Sequence, residues 1–316
     1  MSNGSFAVAG LSHAPVLGRV DPGGTIYDEI LEAVDRARKF VVDFDPEVVV
    51  SFGPDHFNGV LYEMMPPFCI GAQAAGVGDW GTYEGPLPVD SELARRLHYD
   101  VLDQGTVDVA RSERLYVDHG MLQSLEFLFG ERFSREFVPV FVNCVGKPLS
   151  TMQRIRLFGE ALGKAALKLD KRVLFTASGG LSHDPPIADF DSVSEQARER
   201  LIHAEITPEQ RAARESMILA AAEEKAAGSA KYKDVNVAWD REVLDVLSSG
   251  DLTRADAWRN DWMVAEGGSG AQEMRTWLAA WSAMSTAGAY ETVEENYWAS
   301  QPWGCGFGIV TARTAW

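Results

Sequence analysis

Four short apolar runs constrain this chain more than any other feature: Phe6 to Ala9, Val48 to Phe52, Phe137 to Val142 and Val173 to Ala177. Each has the length of a strand buried on both faces and too few residues for a core helix. Between them lie longer segments, Ile26 to Val42, Ser91 to Gln104 and Thr151 to Leu169, whose apolar residues recur at i, i+3 and i+4. That period belongs to helices with one buried face. The alternation predicts an α/β fold, a three-layer sandwich with a central mostly parallel or mixed sheet flanked by helices. No linker rich in Pro, Gly or Ser divides the 316 residues, so 1–316 reads as a single domain. A segment at about 192–235, rich in Ala, Glu, Arg and Gln, reads as an exposed helical excursion.

The runs lead into loops of a specific kind. Leu-Ser-His-Xaa-Pro occurs twice, as Leu11-Ser12-His13-Ala14-Pro15 and Leu181-Ser182-His183-Asp184-Pro185, each time after a strand-like run. An imidazole at a strand's C-terminal end, in a loop stiffened by proline, is positioned for chemistry. His56 in Gly53-Pro54-Asp55-His56-Phe57-Asn58 and His119 in Asp118-His119-Gly120 stand in comparable punctuation. The remaining two histidines, His98 and His203, lie in helical, charge-rich stretches and read as ordinary surface residues.

Charge and cysteine usage narrow the class of partner. With 29 basic against 46 acidic residues the formal charge is -17, a potential that repels nucleic acid and anionic membranes. Three cysteines, Cys69, Cys144 and Cys305, lack CxxC spacing and argue against a disulfide framework or a zinc ribbon. No run approaches the length of a membrane span, and Phe6 to Leu11 is too short for a signal core. The expectation is a cytoplasmic protein without membrane or nucleic-acid partners.

Neutral imidazole is the commonest side-chain metal ligand, and with a pKa of about 6.5 it also moves protons near neutral pH. Four such groups on strand-end loops suffice for a metal site and an acid/base pair. Two histidines and one carboxylate, leaving open positions opposite, make the arrangement of non-haem Fe(II) enzymes that use dioxygen. Composition does not choose the carboxylate. Glu273 follows Gly267-Gly268-Ser269-Gly270, which allows close backbone approach, and opens a helix with Met274, Trp277, Leu278 and Trp281 on one face. It reads equally as a first-turn glutamate favoured by the helix dipole, with Ser269 and Gln272 in a capping box. Gly179-Gly180 is either a plain turn or a place where backbone approaches a ligand. Met64-Met65-Pro66-Pro67-Phe68 is either an apolar pocket wall or loop packing, whereas Trp239, Trp277 and Trp281 read as core.

Taken in order, Leu-Ser-His-Xaa-Pro, Pro-Asp-His-Phe-Asn-Gly, Met-Pro-Pro-Phe-Cys, Val-Asp-His-Gly, Leu-Glu-Phe-Leu, Gly-Gly-Leu-Ser-His-Xaa-Pro-Pro and the closing Gly-Phe-Gly with Ala-Arg-Thr carry a resemblance. The chain resembles the class III extradiol ring-cleavage dioxygenases from about Leu11 to Thr314, most weakly between Ile202 and Val235. The resemblance implies Fe(II) held by His13, His56 and Glu273, with His119 as proton donor and His183 as proton acceptor. It implies extradiol cleavage by O2 of a 3-substituted catechol such as 3-(2,3-dihydroxyphenyl)propionate or 2,3-dihydroxycinnamate, in a homo-oligomer. Alternatives are another catechol or an aminophenol as substrate, a non-catalytic binding protein on the same fold, and a zinc hydrolase. Departures from the family pattern concentrate in the Ala/Glu-rich helical segment and in Arg111-Ser112-Glu113-Arg114-Leu115, both expected near the pocket. A substrate carboxylate entering so acidic a protein needs a cationic or N–H partner, and the sequence leaves that partner open.

Overall fold

The computed structural model describes residues 4–203, 207–229, 231 and 233–314, so parts of the 192–235 segment lie outside the described residues. The elements are β1 (Phe6–Leu11), α1 (Ile26–Phe44), β2 (Val48–Gly53), β3 (Phe68–Gly71), β4 (Ala74–Val77), β5 (Glu84–Pro86), α2 (Ser91–Asp103), β6 (Ala110–Ser112), β7 (Leu115–Val117) and α3 (His119–Phe129). Next come β8 (Val138–Val142), α4 (Met152–Leu167), β9 (Val173–Ser178), α5 (Glu195–Ile202), α6 (Pro208–Ala226), α7 (Val237–Ser249), α8 (Asn260–Gly267), α9 (Met274–Ser285), β10 (Tyr290–Ser300) and β11 (Cys305–Thr314). The four apolar runs are β1, β2, β8 and β9, and they pair side by side. An eight-stranded mixed sheet has the order β10-β11-β1-β9-β2-β8-β3-β6, and a small sheet has the order β5-β4-β7. Within the large sheet β1, β9, β2 and β8 run parallel, while β11 and β3 pair antiparallel on either side of that block.

Alternation of side chains along each strand divides the core into two layers. Phe6 and Val8 of β1, Val50 and Phe52 of β2, and Phe175 of β9 pack with α2, α4, α7 and α9. Ala7, Ala9 and Leu11 point the other way, with Val49 and Leu174, onto α1 and α3. Both faces are covered, which is why these strands read as unbroken apolar runs. Trp239, Trp277 and Trp281 are buried in the first layer, the latter two stacked 5.5 Å apart. Gly159 and Gly163 let α4 lie directly on α9, since a Cβ at either would stand 2.2 Å from the Ala279 or Ala283 carbonyl oxygen.

Two readings of the sequence are corrected here. His98 is buried, not on the surface: it shares the inner stripe of α2 with Ala94, Leu97 and Val101, and its Nε2 lies 3.1 Å from the Val109 carbonyl. His203 is exposed beside Glu63, as read. Met64 to Phe68 does not wall a pocket, because Phe68 enters β3 and stacks on Phe158 at 4.1 Å while Met64 faces solvent. Among the described residues no helix is long and apolar enough to cross a membrane.

Three of the four singled-out histidines follow adjacent parallel strands: His13 after β1, His183 after β9 and His56 after β2. His119 opens α3 after β7 of the small sheet. Replacing Gly159 or Gly163 by alanine should push α4 off α9 and lower stability by about 1–3 kcal/mol, read from urea denaturation of each variant.

Candidate active site

Each of the four histidines is fixed through its Nδ1 edge by a different group. His13 Nδ1 lies 3.1 Å from Ser178 Oγ at the end of β9. His56 Nδ1 lies 3.0 Å from Asp118 Oδ2, and the same oxygen accepts the His56 backbone N–H at 2.8 Å. His119 Nδ1 is 2.5 Å from Asp79 Oδ2, with the Asp79 Oδ1 accepting the His119 backbone N–H. His183 Nδ1 is 3.0 Å from the Leu181 carbonyl, so it donates and the ring's lone pair sits on Nε2. The His56 loop is itself held by Asp55, whose carboxylate accepts the backbone N–H groups of Asn58, Gly59 and Val60. Partners of this kind set the tautomer and aim of a ligating imidazole.

The imidazoles converge on one carboxylate. Glu273, 1% exposed, comes from a 3-10 turn at Ser269–Glu273 that runs into α9. Its Oε1 is 3.1 Å from His56 Nε2 and 3.6 Å from His183 Nε2, and its Oε2 is 3.5 Å from His13 Nε2. Gly180 donates its N–H to the same Oε2 at 2.8 Å. The glycines thus admit backbone to Glu273: a Cβ at Gly179 would stand 2.8 Å from the Glu273 Cβ. The capping box does not form: Ser269 Oγ donates to Asp184, and Gln272 reaches Asn260 and Arg275. The Gly267 to Gly270 run instead wraps His183, which donates its backbone N–H to Gly267 and accepts that of Gly270. A Cβ at Gly270 would stand 2.1 Å from His183 Nε2.

Burial works against a proton on His13 and pushes its pKa down to about 3. Burial also disfavours the cations of His56 and His183, but Asp118 and Glu273 outweigh it at His56, as Glu273 does at His183, and both rise. For Glu273 burial alone would favour the neutral acid, yet the surrounding imidazoles hold it well below the usual carboxylate range. Asp118 is likewise held down by His56 and His119 against its burial. Three buried carboxylates, Asp79, Asp118 and Glu273, therefore share one small volume, and their ion pairs are all to histidine. Such a cluster calls for positive charge at its centre.

A metal ion fits that requirement. Donors about 2.1 Å from one cation and at right angles to each other stand about 3 Å apart, close to the separations Glu273 makes with His56 and His13. Ring nitrogens of His13, His56 and His119 also lie within 4.8 Å of one another. The Nδ1 bonds of His13, His56 and His119 leave all three Nε2 atoms open, and Glu273 adds the negative charge a dication needs.

The cluster lines a cavity of about 570 Å³. Its apolar walls include Val16, Trp80, Val145, Ile187 and Ile218, and α5 and α6 of the excursion cover it. Arg111 to Leu115 does not border it; Arg111 lies over Tyr99 instead. Of the residues not singled out in the sequence, Asp118 adjoins His119 and carried a signal. Asp79, Ser178 and Arg214 carried none, because only the fold brings them to the histidines.

Residues 7–308 match the family model described as the catalytic LigB subunit of aromatic ring-opening dioxygenase. The chain is 50% identical over 307 residues to the 2,3-dihydroxyphenylpropionate/2,3-dihydroxicinnamic acid 1,2-dioxygenase of Rhodococcus sp, covering 97% of this chain and 98% of the relative. It is 48% identical, with the same coverage of both chains, to the protein of that name from Rhodococcus jostii (strain RHA1). The Mycolicibacterium smegmatis protein of that name is 45% identical over 308 residues, covering 97% of this chain and 98% of the relative. The chain belongs to this family of aromatic ring-opening dioxygenases, and it is an extradiol dioxygenase whose family implies a metal cofactor.

Asp118→Asn should leave the fold intact while weakening the hold on His56. Metal affinity is expected to fall by about 10- to 100-fold, measured by competition with a chromogenic chelator.

Proposed function

We propose that this chain is a non-haem Fe(II) enzyme that opens 3-(2,3-dihydroxyphenyl)propionate or 2,3-dihydroxycinnamate beside the diol, giving a 2-hydroxy-6-oxo-dienedioate. The observation that carries the reading is Glu273 set against His13 and His56, each ring held back through Nδ1 so that Nε2 faces the carboxylate. These three would hold the iron. When bound, Fe(II) supplies the Lewis acidity and the electron path between a catecholate and dioxygen.

The chain's own residues provide the proton chemistry and the surroundings. His183 donates Nδ1–H to the Leu181 carbonyl, which leaves Nε2 free to accept a catechol hydroxyl proton. His119 is held through Nδ1 by Asp79, which aims Nε2 at the cavity, where it would donate a proton as the ring opens. Trp80, Val145 and Ile187 provide apolar surface that packs against an aromatic ring and limits water. Three free, buried cysteines suit a reducing cytoplasm.

Anaerobically handled protein reconstituted with Fe(II) should consume one equivalent of oxygen per catechol and produce a yellow dienoate. Absence of oxygen uptake with every catechol in a substituted panel overturns the reading. Alanine at His13, His56 or Glu273 should empty the iron site. His119→Ala and His183→Ala should retain iron and lower kcat by about 10²- to 10⁴-fold, measured by iron analysis beside the oxygen electrode.

A further inference from the structure

The cavity is polarised in a way that the ring-opening chemistry does not use. Each of its peripheral acids already has donors: Asp79 holds His119, Asp184 accepts from Ser269, and Glu215 accepts the Trp80 backbone N–H. Three arginines on the covering helices, Arg200 of α5 and Arg211 and Arg214 of α6, line the same space without a carboxylate partner among the described residues. Arg200 donates to Gln196 within its own helix. Arg214 is committed to the His56 loop, donating to the His56 carbonyl at 2.7 Å and to Asn58 Oδ1 at 3.3 Å. Arg211, one turn earlier on the same face, is different. Its Nε is buried and has no hydrogen-bond partner.

A guanidinium that lines a cavity without a carboxylate partner among the described residues, in a chain carrying -17 charges, is costly unless something anionic completes it. Most of the other arginines are answered by acids, as Arg156 is by Glu160 and Asp256 and Arg172 by Asp45 and Glu47. The planar fork of arginine matches a carboxylate in two-point contact. The four imidazoles lie in the same cavity and would take the diol end of a substrate. We propose that Arg211 is the specificity-determining residue that binds the side-chain carboxylate of the aromatic substrate. Arg214 is its neighbour and a positioning residue for the His56 loop. The inference rests on the functional reading above and adds to it the group that selects an acid-bearing ring.

The test compares 3-(2,3-dihydroxyphenyl)propionate with 3-propylcatechol, an uncharged analogue of similar length, on the Fe(II)-loaded enzyme. Wild type should favour the acid. Arg211→Gln should lower kcat/KM for the acid by about 10- to 100-fold, mainly through KM, and for 3-propylcatechol by less than about threefold. Arg211→Lys should recover part of the loss. Titration of the metal-free protein with 3-phenylpropionate should weaken in parallel, and circular dichroism checks that the variants fold. A preference for the acid that survives Arg211→Gln, or an equal loss on both substrates, overturns the carboxylate anchor while the ring-cleavage reading stands. Wild type that cleaves both catechols without preferring the acid also overturns the anchor, and wild type that cleaves neither overturns the functional reading with it.

Discussion

A carboxylate 1% exposed, with three imidazole nitrogens within 3.6 Å, is the constraint around which this molecule is arranged. Burying Glu273 unaided costs several kcal/mol, so every element near it contributes compensation. The Gly180 N–H binds one oxygen, and histidines from three adjacent strand ends surround the rest. The last residue of β9 ties these parts together. Ser178 holds His13 through its hydroxyl, and its carbonyl accepts from Thr276 Oγ at 2.6 Å on the helix that follows Glu273. Trp277 Nε1 donates to the next carbonyl, Gly179, so α9 is bonded to the strand end whose glycine holds the carboxylate.

The two Leu-Ser-His-Xaa-Pro copies share a device and not a partner. In both, the serine before the histidine is buried and closes its loop with side-chain and backbone hydrogen bonds. Ser12 exchanges its N–H and hydroxyl with the backbone of Gly308 on β11. Ser182 gives its N–H and hydroxyl to Asp240, a buried acid that also accepts from the Tyr297 hydroxyl. The same spelling thus fixes an imidazole beside the sheet once through a strand and once through α7.

The strands and helices with strong periodicity could be read directly, and so could the histidines, because proline and glycine mark the loops that hold them. What escaped reading depended on distant partners. Strands β3 to β7 are three or four residues long, and Ala74-Ala75-Gly76-Val77 has no apolar pattern to distinguish it from a turn. The long β10 and β11 were hidden by glutamates that face solvent on the edge and by Gly306 and Gly308, which make room for Asp240 and Leu181. Charged neighbours mask the 94, 97, 98, 101 spacing that places His98 inward. Asp79 reaches His119 across 40 residues, and no local signal predicts that.

The strand order also bears on how the chain can mature. β1 lies between β9 and β11, and the loop carrying His13 closes on Gly308, 296 residues later. Contacts of such separation form slowly, since most of the chain must be ordered before they are rewarded. During synthesis the early histidines therefore exist without the carboxylate and without the closing strand. The centre becomes complete only once the chain through Gly308 has left the ribosome.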